Sequence, residues 1–76
     1  MTIDKTLDTQ GLSCPLPILK LKKAIGDMPA GSTLEMLATD PGSVGDIQAF
    51  CRHGRHTLLS HDESDGVFRF VIQRAA

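Results

Sequence analysis

Two cysteines, Cys14 and Cys51, and three histidines, His53, His56 and His61, are the side chains of this sequence best suited to chemistry. The most informative stretch is Gly11-Leu12-Ser13-Cys14-Pro15-Leu16-Pro17. Proline restricts the residue before it to extended geometry, the geometry of a helix N-cap, and is itself suited to the first helical position. The spacing therefore predicts Cys14 at the mouth of a helix, with Pro15 first in it, Pro17 third, and the Leu16 N–H as the close donor to sulfur. The positive end of a helix dipole favours thiolate over thiol. The expected group is a nucleophilic sulfur on a stiff stem, presented rather than buried, with Gly11 letting the chain turn into it. The ordinary role of a free Cys is that of a small core residue. Ser, Thr, Asp or Asn would cap a helix better, however, and a Cys between two prolines packs no better than Ala or Val would. The local context favours chemistry.

The other candidates read as structure. Cys51 falls on the apolar stripe of a helix with Val44 and Ile47, so core packing is its expected role. A Cys14–Cys51 disulfide would need the start of the first helix to meet the last turn of the second. His56 and His61 fall on one strand and on opposite faces of it, without the paired ligand spacing of a structural zinc site, so no metal site is expected. Activation of Cys14 by a histidine stays open, because spacing does not say which His lies near it. No phosphate-cradling glycine loop and no specific pair of carboxylates occurs, and no cofactor is expected.

Charge and composition narrow the partners. Lys20, Lys22 and Lys23 follow Cys14, while Leu16 and Leu19 project away from the Ile18, Leu21 and Ile25 stripe. Leu16, Leu19, Lys20 and Lys23 are thus candidates for a docking surface beside the sulfur, the bland alternative being a solvated, partly buried helix face. With 76 residues, nine acids against eight bases and three Phe but no Trp or Tyr, the chain has neither the positive charge nor the exposed rings of a general nucleic-acid binder. It is too short for two domains, so residues 1–76 read as one. No apolar run approaches the roughly 18 residues of a membrane span, and Met1 to Asp8 carry no basic, apolar, cleavable signal, which points to the cytoplasm and away from a membrane.

The elements that must position Cys14 follow from periodicity. Residues 3–9 suit a short strand. From Cys14 the steps of three and four through Ile18, Leu21, Ile25 and Met28 make an amphipathic helix ending near Gly26, before Pro29-Ala30-Gly31. Leu34, Met36 and Ala38 alternate in a strand over 32–39. Asp40-Pro41 opens a second helix, which Gly54 is placed to close in the left-handed conformation. Residues 55–62 and 67–74 are extended segments joined by Glu63-Ser64-Asp65-Gly66, a hairpin signal. In the last of them Phe68, Phe70 and Ile72 should face the helices, leaving the opposite face wet. The order β-α-β-α-β-β gives an α/β fold: a two-layer α/β sandwich, a four-stranded mixed sheet with both helices on one face.

These residues resemble a known family, the TusA/SirA sulfur carriers. The resemblance rests on Asp8-Thr9-Gln10-Gly11-Leu12-Ser13-Cys14-Pro15-Leu16-Pro17 with a lysine beyond it, on Thr39-Asp40-Pro41-Gly42-Ser43, on Asp46-Ile47, and on Cys51 with Gly54-Arg55-His56. It spans about residues 6 to 74, and differs at Gln48, where many relatives have proline. It implies the same sandwich, a sulfurtransferase-type activity in which Cys14 accepts a sulfane sulfur as a persulfide, and a supporting motif of Gly11, Leu12, Pro15 and Pro17. The implied partners are a donor protein, a cysteine desulfurase or a rhodanese-like protein, and an acceptor in a sulfur relay toward tRNA thiolation or sulfur metabolism. No direct contact with nucleic acid is implied. The alternative is an interaction or redox-sensing module in which Cys14 is structural.

Overall fold

The computed structural model describes residues 2–75. Its elements are β1 (Lys5–Thr9), α1 (Leu16–Gly26), β2 (Thr33–Ala38), α2 (Gly42–Gly54), β3 (Thr57–Ser64) and β4 (Val67–Gln73), in the expected order. The strands form one mixed sheet in the order β1-β2-β4-β3. β1 runs parallel to β2, while β2 and β3 both pair antiparallel with β4. Because β1 and β2 are parallel and adjacent, with Thr9 opposite Ala38, the turns that leave them emerge side by side at one end of the sheet.

The core lies between the helices and one sheet face. Leu21 and Ile25 of α1, Ile47 and Cys51 of α2, and Leu34, Met36, Phe70 and Ile72 of the strands are buried in one cluster. The alternation of β2 and the three-four spacing of the helices place these residues as the sequence predicts. The β3–β4 hairpin turns through Asp65 and Gly66, both at positive φ (52° and 81°), the pairing that matches the right-handed twist of the strands.

Two expectations are corrected here. The sheet face away from the helices is not wet throughout, since Val71 on it is fully buried. Val71 lies on β4, a central strand, between Glu35 of β2 and Ser60 of β3, so neighbours cover it from both sides. The Arg69–Glu35 ion pair (2.5 Å) lies on that same face. The close of α2 also differs. The left-handed residue is Arg55 (φ 61°, ψ 25°), whose N–H returns to the Cys51 carbonyl, and Gly54 is the last helical residue. Its lack of a side chain answers a different need: a Cβ there would stand 2.7 Å from the His56 ring.

Candidate functional site

The segment between β1 and α1 is pinned at several points to the end of β2. Thr9 is buried and donates its hydroxyl to the Leu37 carbonyl at 2.6 Å. The Leu12 N–H closes a turn onto the Thr9 carbonyl at 3.2 Å. Gly11 sits inside that turn at φ 83°, a conformation that glycine adopts without steric cost, and its N–H donates to Thr39 Oγ1 at 2.9 Å. Asp40 then holds the cysteine itself. One carboxylate oxygen accepts the Cys14 N–H at 2.7 Å and the other accepts the Gly42 N–H at 3.1 Å at the start of α2. The sequence assigned Asp40 mainly to the start of helix two; in the structure it also joins that helix to the Cys14 segment.

Cys14 is exposed and is not the N-cap of α1. Pro15 holds that position (φ −97°, ψ 12°), its carbonyl accepts the Leu19 N–H, and Pro17 falls second in the helix rather than third. The Leu16 N–H, expected to face the sulfur, closes a turn onto the Ser13 carbonyl at 2.9 Å. That turn shifts the helix start by one residue and takes the free amide from the sulfur. The Cys14–Pro15 peptide bond is cis.

The thiol donates instead to Asp46 Oδ2, 3.2 Å away. Asp46 lies one turn into α2. This hydrogen bond, then partial desolvation, then the negative charges of Asp46 and Asp40 hold the Cys14 pKa above its ordinary value. The predicted shift toward thiolate is therefore reversed. A carboxylate acceptor favours the protonated thiol, and a second carboxylate adds like charge against the anion.

Beside the thiol a groove of about 480 Å³ runs between the helices, walled by Ile18 and Lys22 of α1 and by Asp46, Phe50 and His53 of α2. The histidine that shares this groove with Cys14 is thus His53. His56 packs on Phe50 with ring centroids 5.1 Å apart and accepts the Ala75 N–H at Nδ1 (2.9 Å). His61 stacks over Phe70. Cys51 is buried, and burial raises its pKa, as suits a core thiol. Both cysteines are free, and among the described residues no group of three or more His, Cys, Asp or Glu is arranged to hold a metal ion.

The remaining candidates divide between two surfaces. Leu16 and Leu19 are exposed at 46 % and 52 %, apolar side chains in water in the turns that follow the cysteine. Pro17 and Leu12 face inward, Pro17 fully buried and Leu12 partly. Lys20 and Lys23 line a separate depression with Lys5 and Leu7 of β1, while the lysine that borders the Cys14 groove is Lys22. Sequence reasoning gave no site role to Asp46. The signal was present in its position one turn after Asp40-Pro41, but only the parallel pairing of β1 and β2 brings it to the sulfur.

Fold and site together define a small α/β protein that presents an exposed thiol between two carboxylates at the shared end of two strand-helix units. The family model described as sulfurtransferase TusA matches residues 5–74, and the chain belongs to that family of sulfur carriers. It is 55 % identical over 69 residues to a protein of Neisseria meningitidis provisionally named a sulfur carrier, covering 91 % of this chain and 93 % of that one. It is 44 % identical to the sulfur carrier protein TusA of Allochromatium vinosum, with 95 % of each chain covered. Among solved structures, a SirA-like protein of Desulfitobacterium hafniense superposes with a TM-score of 0.83 at 26 % identity, over 95 % of this chain and 99 % of that one. Among the described residues no helix is long and apolar enough to cross a membrane.

Proposed function

We propose that this protein carries sulfane sulfur as a persulfide on Cys14, taking it from a donor protein and passing it to an acceptor. The observation that carries this reading is the presentation of Cys14. It is exposed on a segment pinned to the sheet end by hydrogen bonds from Gly11 and Cys14 to Thr39 and Asp40. A relay needs a sulfur that two successive partners can each reach, held in a fixed place. Leu16 and Leu19 beside it offer an apolar surface for docking, and Lys22 at the groove adds charge. The Sulfurtransferase TusA family supports the same chemistry.

The raised Cys14 pKa slows oxidation and unaided sulfur exchange alike, because the thiolate is the reacting species in both. What favours the carrier over the redox-sensing alternative is the exposed, pinned cysteine together with the family match. The cellular setting that fits a relay between soluble proteins is the cytoplasm, with the donor a cysteine desulfurase or rhodanese-like protein and the product used in tRNA thiolation or another sulfur pathway. The test is direct. Reduced protein is incubated with a desulfurase and cysteine, or with a rhodanese and thiosulfate, and its intact mass is read. The expected result is a gain of one sulfur atom, reversed by reductant and absent in Cys14→Ser. A Cys14→Ser protein that still gained reducible sulfur would overturn the assignment.

A further inference from the structure

A thiol that exchanges sulfur must lose its proton when sulfur arrives and recover one when sulfur leaves. Asp46 Oδ2 is 3.2 Å from Cys14 Sγ, and among the described residues that thiol is its only hydrogen-bond partner. The distance is held from the other side as well, because Asp40 ties the Cys14 N–H to the start of the helix that carries Asp46. His53, the imidazole of the groove, makes no hydrogen bond to the sulfur among the described contacts, and Lys22, the remaining charged group there, offers no acceptor when protonated.

Resting on the persulfide reading above, we propose that Asp46 is a catalytic residue of the exchange, the base that takes the Cys14 proton in loading and the acid that returns it in discharge. In loading, Cys14 Sγ attacks the outer sulfur of a donor persulfide, R–S–SH. The new S–S bond forms on Sγ, and the donor S–S bond breaks with its electron pair left on the donor sulfur. The thiol proton passes to Asp46 Oδ2 and on to the departing donor thiolate. The sum is Cys14–SH plus R–S–SH giving Cys14–S–SH plus R–SH, with no outside oxidant or reductant. Discharge is the same exchange run backward with an acceptor thiol, and microscopic reversibility then makes the group that served as base serve as acid. A carrier has this need in both directions. Because the carboxylates keep the resting thiol protonated, waiting for free thiolate would leave most molecules idle near neutral pH.

The experiment uses the full chain and glutathione persulfide as the probe donor, with intact mass separating a gain of one sulfur from a glutathione adduct. Loading rates are followed across pH for wild type, Asp46→Asn and Asp46→Glu, and the thiol's own titration is read by iodoacetamide alkylation. In Asp46→Asn the alkylation midpoint should move to lower pH. Its loading at about pH 6 should nevertheless fall by about tenfold or more, the lower part of what general acid-base catalysis contributes, and should recover as pH rises. Asp46→Glu should restore part of the low-pH rate. Discharge of loaded protein to a small thiol should slow in the same variant. If wild type never gains sulfur, the carrier reading falls and this inference with it. If wild type loads and Asp46→Asn loads as fast at about pH 6, or its alkylation midpoint stays in place, the role of Asp46 alone is overturned.

Discussion

Gly54 and His56 show how one small residue can decide where a ring sits. A Cβ on Gly54 would lie 2.7 Å from His56 Cδ2 and 2.8 Å from Nε2, while the ring is held on its other sides by Phe50 and by the Ala75 N–H at Nδ1. Helix propensity alone makes Gly54→Ala stabilising by up to about 1 kcal/mol. The crowding predicts the opposite sign, a loss of about 1 kcal/mol or more as the ring is displaced and its hydrogen bond broken, measurable by urea denaturation. His56 also sets a pH dependence. Burial, and then the positive charge of Arg74, lower its pKa from the ordinary 6.5. The unfolded chain therefore binds this proton at a higher pH than the folded chain does, so stability is complete above 6.5 and declines as pH falls below it. Protonation also turns Nδ1 from an acceptor into a donor facing the Ala75 N–H. In His56→Gln the part of the acid decline that begins near pH 6.5 should disappear, which unfolding curves at about pH 7.5 and about pH 5.5 would show. At this scale the sequence was a partial guide: Cys14 could be singled out from its prolines, but the direction of its titration could not, because that depends on Asp46 and Asp40 from another element.

The elements were legible wherever a short-range rule governs them. The apolar steps through Ile18, Leu21 and Ile25, the alternation of Leu34, Met36 and Ala38, and Asp65-Gly66 between extended segments each encode a local geometry. Their limits match the observed elements to within one residue, except at 3–9, where the strand begins two residues later, and at 55–62, where it begins and ends two residues later and takes in Glu63 and Ser64. What the rules missed are choices between two locally acceptable geometries. Ser13 to Leu16 can cap a helix with Cys14 or close a turn first, and the turn wins here, with the Leu16 N–H on the Ser13 carbonyl and the Cys14 N–H taken by Asp40. In the same way Gly54 can be left-handed or end the helix; here it ends the helix, Arg55 takes the left-handed position, and the His56 ring occupies the space a side chain on Gly54 would need. Packing of α2 rests on Ile47, fully buried against the sheet in the main core. Ile47→Ala should cost about 2 to 5 kcal/mol. Because Asp46 is its neighbour on the same helix, the alkylation profile of Cys14 should lose its sharp, single midpoint in this variant before the sheet unfolds, a comparison of alkylation with circular dichroism.

Across the whole molecule the site is a product of topology. Cys14 follows β1 and Asp40 and Asp46 follow β2, and no periodicity in the sequence says that these strands are adjacent and parallel. The pairing of Thr9 with Ala38 makes the two connections neighbours, as carboxyl ends of parallel strands commonly are where α/β proteins place their chemistry. Asp40 is the clamp between the two units, with one oxygen on the Cys14 N–H and the other on the Gly42 N–H. Removing it should therefore separate local order from global fold. In Asp40→Ala both amides lose a charge-assisted acceptor, worth about 1 to 3 kcal/mol each at most and less where water replaces it, while the core and the sheet ladders are untouched. Hydrogen exchange should become fast at Cys14 and Gly42 and stay slow at Leu34, Met36 and Phe70, with the Gly11 amide, held by Thr39, in between. The Cys14 thiol, freed from a fixed distance to Asp46, should alkylate at lower pH, and sulfur loading should slow although the protein remains folded. An Asp40→Ala protein that kept both the slow Cys14 amide and the wild-type loading rate would mean that the sheet ends alone hold the cysteine in place, and that the carboxylate contributes only to the charge around it.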